Sequence, residues 1–161
     1  MNGFELSPPW VAGGIALLLG LAGGGTTIIG PWYKNLRKPE WKPPDWLFGP
    51  AWTIILACAA TAAVVAWNAA PDAAARRDVL ILFGVNGAFF LAWSPLFFMA
   101  RRPDWALIEV VGLWVSVAVL AVGLARITPL AGLLVLPYLI WVTFAGVLNR
   151  AIVRLNAPFG G

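Results

Sequence analysis

The sequence predicts an all-α membrane protein: one domain over residues 1–161, a five-transmembrane-helix bundle with a long lid loop, about residues 30–46, between helices 1 and 2. Three observations predict it. The chain is 61% hydrophobic and 11% charged, with a mean hydropathy of +0.84, whereas soluble domains are roughly 45–50% apolar. Five apolar windows, near Pro9–Ile29, Leu47–Asn68, Val79–Ala100, Trp105–Ala125 and Ile127–Asn149, are each long enough for a hydrocarbon core of about 30 Å, which takes roughly 20 helical residues. None of these windows alternates apolar and polar residues as barrel strands do, and an open sheet would leave its edges unpaired in lipid.

The first window carries Gly20 and Gly24 as a GxxxG pair, the spacing that lets helices approach closely in lipid. No Lys or Arg precedes it and no small-residue cleavage site follows, so it is expected to stay as a span and not to be a removed signal peptide. Next comes WYKNLRKPEWKPPDWLFGPAW, Trp32 to Trp52, where tryptophans alternate with Pro39, Pro43, Pro44 and Pro50. The prolines are expected to deny this stretch helix and sheet and to hold it as a stiff strip. It reads either as an aromatic belt at the membrane surface or as a lid over a pocket, its stiffness lowering the ordering cost of binding. Trp10, Trp67 and Trp105, each near a span end, fit a belt; Trp52 opens the second window just below the strip.

NAAPDAAARRD (Asn68–Asp78) and RRPD (Arg101–Asp104) read as turns. In the third window Asn86, Phe90, Trp93 and Phe97 share one helical face, and in the fifth Tyr138, Trp141, Ala145 and Leu148 do so, the small alanine leaving a hollow among large neighbours. Asn86 is a buried amide in need of partners, from packing, water or a ligand's polar group; Asn149 is expected to bond to backbone. Gly84, Ala88 and Ala92 form a small-residue stripe that serves packing within the chain or a homodimer equally well. Glu109 is the one charge inside a window, read as an interfacial acid, one paired with Arg101 or Arg102, or a group that moves protons or ions.

Several chemistries are excluded. With no histidine and a single cysteine, Cys58, the chain offers no disulfide of its own, no familiar metal site and no customary general base. Its net charge of +4 and pI near 9.8 follow from membrane topology and anionic headgroups, so no nucleic acid partner is implied. Lys34, Arg37, Lys38, Lys42, Arg101, Arg102, Arg150 and Arg154 fall on one side, and Arg76, Arg77 and Arg126 on the other. The positive-inside rule then places the N-terminus outside and the C-terminus inside, if the membrane is a plasma or inner membrane.

The stretches WYKNLRKPEWKPPDW with the following PAW, WSPLFF (Trp93–Phe98) and PYLIWVTFAGVLN (Pro137–Asn149) resemble, in order, those of the tryptophan-rich sensory protein / translocator protein family. The resemblance covers nearly the whole chain. It implies a five-helix, commonly dimeric membrane protein that binds porphyrins such as protoporphyrin IX, or in animals cholesterol and benzodiazepine-type drugs, with no cofactor required. By matching motif, the implied ligand-binding residues are Tyr33, Trp41, Pro43 and Pro44 in the lid, Trp52 in the second span, Phe90 and Trp93 in the third, and Trp141, Ala145 and Leu148 in the fifth; Asn86 is added from its own helical face, as the amide that would orient a ligand's polar group. The dimer would pack through Gly84, Ala88 and Ala92.

The chain departs from the family pattern in four places. Phe90 stands where an asparagine is usual and Asn86 where a glutamine is frequent; Glu40 precedes Trp41 where tryptophan is common; and VLNRAIVR (Val147–Arg154) lacks the tyrosine of the animal sterol pattern. Three functions follow from the resemblance: porphyrin receptor, light-dependent porphyrin-degrading enzyme using Trp52 and Trp141, or transporter of lipids, sterols or drugs. Relatives occupy bacterial and mitochondrial outer membranes, where the charge rule loses force.

Overall fold

The computed structural model describes residues 8–159, so residues 1–7 and 160–161 of the expected domain lie outside the description. All its regular elements are helical: α1 (Pro8–Thr26), α2 (Pro31–Asn35), α3 (Phe48–Ala69), α4 (Ala73–Ser94), α5 (Pro103–Ile127) and α6 (Pro129–Asn156). Five of them, all but α2, are long and apolar enough to cross a membrane. Around the bundle the order is α1, α3, α6, α5, α4 and back to α1. Thus α3 and α4, joined by a short turn, touch only lightly, and each leans mainly on other helices.

Local chemistry sets the boundaries. Pro31, Pro103 and Pro129 open their helices, where a missing N–H costs nothing because it would have no helical partner. The Asp72 carboxylate accepts the Ala75 N–H at 2.8 Å and caps α4. That cap and the alanine run after it start the helix at Ala73, so Arg76, Arg77 and Asp78, expected in a turn, belong to α4. Arg76 then lies over the Trp67 ring at 5.4 Å. α6 likewise runs past the expected Asn149 to Asn156, its last turns carrying Arg150 and Arg154, both exposed.

After Ser94 the backbone widens into a π turn over Pro95–Met99, with the Ala100 N–H reaching the Pro95 carbonyl at 2.9 Å. The shifted register buries the adjacent Phe97 and Phe98 together. Arg101, at φ 55, then turns the chain into α5.

The centre of the core is α5. Val117, Leu120 and Leu124 are fully buried there against Ala131 and Val135 of α6. The two helices approach so closely that a Cβ on Gly132 would stand 2.5 Å from the Ala125 Cβ and 2.9 Å from the Ala121 carbonyl oxygen. α1, by contrast, contains no buried residue. Its expected Gly20–Gly24 pair does not act as a pair: Gly20 meets Leu56 and Gly23 meets Phe90, while Gly24 faces open space. Helix contact follows the three-residue spacing because α3 and α4 lie on either side of that ridge.

Candidate functional site

The first connection is not free of regular structure, as its prolines led one to expect. α2 forms ahead of Pro39, with Pro31 at its start, and Asp45–Leu47 makes a 3-10 turn after Pro44. Between them the chain is tied by its own cations. Lys42 pairs with Asp45 at 2.5 Å and bonds the Pro43 carbonyl at 2.8 Å. Lys38 bonds the Leu36 carbonyl at 3.1 Å and sits 4.4 Å from the Tyr33 ring centre. Burial, with Lys42 nearby, lowers the pKa of Lys38. Tyr33 is buried and donates to the Asp45 carboxylate at 2.9 Å. Burial first, and then that carboxylate, push its hydroxyl well above the usual tyrosine range.

Two groups of rings lie at this end of the bundle. In one, Trp52 of α3 meets Phe90 at 5.2 Å, Tyr138 at 6.0 Å and Trp141 at 6.3 Å, all near perpendicular. Trp141 meets Phe48 at 5.5 Å and Phe144 at 5.3 Å, and Trp41 of the connection rests edge-on against Phe144 at 6.0 Å. A continuous line of rings therefore runs from the connection, across α6 and α3, to α4. In the other group Trp93 stacks on Phe97 at 5.1 Å, and Tyr33 and Trp32 cover Phe97 and Phe98.

Of the residues expected at a site, Trp41, Trp52, Phe90 and Trp141 join the first group, and Tyr33 and Trp93 the second. Leu148 is buried with the second, against Ala106 and Ile152. Pro44 sets up the 3-10 turn, and the Pro43 carbonyl holds Lys42. Ala145 is half-buried. Two surface depressions, of about 400 Å³ between α4 and α5 and about 330 Å³ beside Trp32 and Tyr33, are lined by neither Ala145, Trp52 nor Trp141.

Asn86 finds a protein partner, donating to the Ser116 hydroxyl at 3.0 Å, which in turn bonds the Leu113 carbonyl at 2.7 Å. Asn149 bonds backbone as expected: in the amide orientation that satisfies both ends, it donates to the Pro103 carbonyl at 3.0 Å and accepts the Leu107 N–H at 3.1 Å. Glu109 pairs with neither arginine, because Arg102 forms a two-point contact with Asp104 and lies over the Trp105 ring at 4.2 Å. Gly84 faces open space and Ala88 is exposed, so part of the small-residue stripe is turned away from the chain.

The model of the TspO/MBR family matches residues 12–155, which take in nearly all of the five long helices and the whole first connection. The chain belongs to the TspO/MBR family. It is 37% identical over 145 residues to the tryptophan-rich protein TspO of Chlorobaculum tepidum, covering 89% of this chain and 92% of that one. It is 34% identical over 158 residues to the translocator protein of Sus scrofa, with 94% of each covered. To the protein CrtK of Rhodobacter capsulatus it is 39% identical over 128 residues, 79% of each.

Within this TspO/MBR chain, motif spacing left several contributors unseen. Phe48 and Phe144, which bracket Trp141, carried only helical proximity as a signal. Ser116 carried none, since its role depends on a residue of another helix.

Proposed function

We propose that this protein is a membrane receptor that binds a flat, apolar tetrapyrrole of the protoporphyrin IX kind beneath the first connection. One observation carries the reading: the unbroken line of rings from Trp41 through Phe144 and Trp141 to Trp52 and Phe90. Edge contacts between rings are each worth about 0.5–1.5 kcal/mol, so a planar guest that parts them exchanges ring–ring contact for stacking of similar or greater area. Lys38 and Lys42 are engaged within the connection itself. Lys34 and Arg37, both exposed, are the cations left to meet the guest's carboxylates and orient it.

The same site serves sensing or translocation, the roles that the names of relatives carry. The cationic side of the bundle faces inward in a plasma or inner membrane, and two copies pair through Gly84 and Ala88. A second reading, light-driven breakdown of the bound porphyrin, draws on the contact between two oxidisable indoles, Trp52 and Trp141.

Titrating purified protein with protoporphyrin IX while following tryptophan fluorescence tests the receptor reading. Saturable quenching is expected, with affinity reduced roughly tenfold in Trp141→Ala, as for loss of a central aromatic anchor. Quenching that does not saturate, or that Trp141→Ala leaves unchanged, refutes it.

A further inference from the structure

The interior holds polar atoms that the described residues do not satisfy. The Glu109 carboxyl oxygens, the Tyr138 hydroxyl and the Trp93 and Trp141 indole nitrogens are all buried without a hydrogen-bond partner among the described residues. Leaving such groups unpaired in an apolar bundle is costly, and in membrane helices they mark functional positions more often than accidents.

Their arrangement is ordered. Asn86 of α4 and Ser116 of α5 are joined at 3.0 Å, and one turn on, Gly112 faces the Phe89 ring so closely that a Cβ there would stand 2.5 Å from it. The two helices run antiparallel. Trp93 lies seven residues beyond Asn86 and Glu109 seven residues before Ser116, so each stands two turns, roughly 10 Å, further along the same face of its helix. A donor indole and an acceptor carboxyl therefore share a level, on the side of the bundle where the first connection lies. No lysine or arginine pairs with Glu109.

We propose that Glu109 is a ligand-positioning residue. Together with the Trp93 indole N–H it forms a polar subsite that takes a hydrogen-bonding group of an otherwise apolar guest, and Glu109 selects guests presenting an N–H or O–H donor at that depth. A free-base tetrapyrrole presents such donors at the centre of its ring. The inference rests on the receptor reading above, since it assigns a polar anchor to that same guest.

An unpartnered carboxyl makes opposite demands on stability and binding, and this separates it from a structural acid. Protoporphyrin IX affinity by tryptophan quenching and thermal unfolding in detergent are compared for wild type, Glu109→Gln and Glu109→Leu. The leucine variant is expected to bind roughly tenfold more weakly, having lost the acceptor, and to unfold about 2–4 °C higher, having lost a buried polar group without a partner. The glutamine variant keeps an acceptor oxygen and should bind within about threefold of wild type. Unchanged binding in Glu109→Leu overturns the proposal while the receptor reading stands. Lower melting together with weaker binding assigns Glu109 to the scaffold and overturns it too. A wild type that does not bind protoporphyrin IX overturns the receptor reading, and this one with it.

Discussion

Asn156, at the last turn of α6, holds both backbone groups of Arg37: its side-chain oxygen accepts the Arg37 N–H at 2.8 Å and its amide donates to the Arg37 carbonyl at 2.7 Å. The second amide hydrogen goes to the Ile152 carbonyl at 2.8 Å, which fixes the side chain to its own helix. An asparagine thus stands in for a peptide group, clasping the first connection to the end of the bundle. Each bond is worth about 1 kcal/mol. Asn156→Ala should therefore raise the open population of the connection roughly tenfold or more, read as faster amide exchange across residues 30–46 with little change in the spans. Exchange that stays at the wild-type rate would show that ring contacts alone hold it.

Tyr33 fastens the same connection from within, through Asp45. Its neutral form is favoured in the folded state, while in the unfolded chain it ionises at the ordinary 10.0. The sign follows: the contribution is complete below that value and is lost as pH rises above it. Tyr33→Phe should be less stable by about 1 kcal/mol at pH ~8, and the gap to wild type should narrow by pH ~11. Thermal unfolding at the two pH values measures it, and a gap that widens would contradict the assignment.

Gly132 and Gly84 separate packing inside the chain from packing outside it. A methyl at Gly132 meets backbone and Cβ atoms of α5 that have no rotamer to move to, whereas one at Gly84 meets nothing within 4 Å. Gly132→Ala is expected to cost about 1–3 kcal/mol, and Gly84→Ala to leave monomer stability within about 0.5 kcal/mol. Glycerol-gradient or light-scattering mass of Gly84→Trp in detergent then reports the proposed homodimer, which a bulky residue at that face would break.

The five spans were legible because a 30 Å apolar layer imposes length and composition on any helix that crosses it, and the family was legible because its aromatic motifs are long. Boundaries were not. Asp72 and the alanines after it extended α4 toward the terminus through charged residues that hydropathy had assigned to a turn. The ring line from Trp41 to Phe90 was half-visible, since face periodicity finds Phe90 and Trp141 but says nothing about which helix faces which. Asn156 could not be found at all: it recognises backbone 119 residues away, and backbone has no sequence. Glu109 was noticed as a lone acid, but whether an arginine would pair with it depended on Arg102 preferring Asp104, a choice made by local geometry.

The contact between Trp52 and Trp141, 6.3 Å between ring centres at 81°, bears on the choice between receptor and enzyme. The chain has no histidine, and no group of three or more cysteine, histidine or acidic side chains able to hold a metal occurs among the described residues. For a light-dependent loss of a bound porphyrin, the oxidisable groups this contact offers are the two indoles. Replacing both tryptophans by phenylalanine keeps aromatic surface while removing the indoles. In the receptor reading the double variant and wild type should lose porphyrin absorbance under illumination at the same rate, with binding weakened by roughly tenfold at most. A wild type that yields a defined product under light, when the double variant with porphyrin bound yields none, would instead make these two tryptophans participants in chemistry.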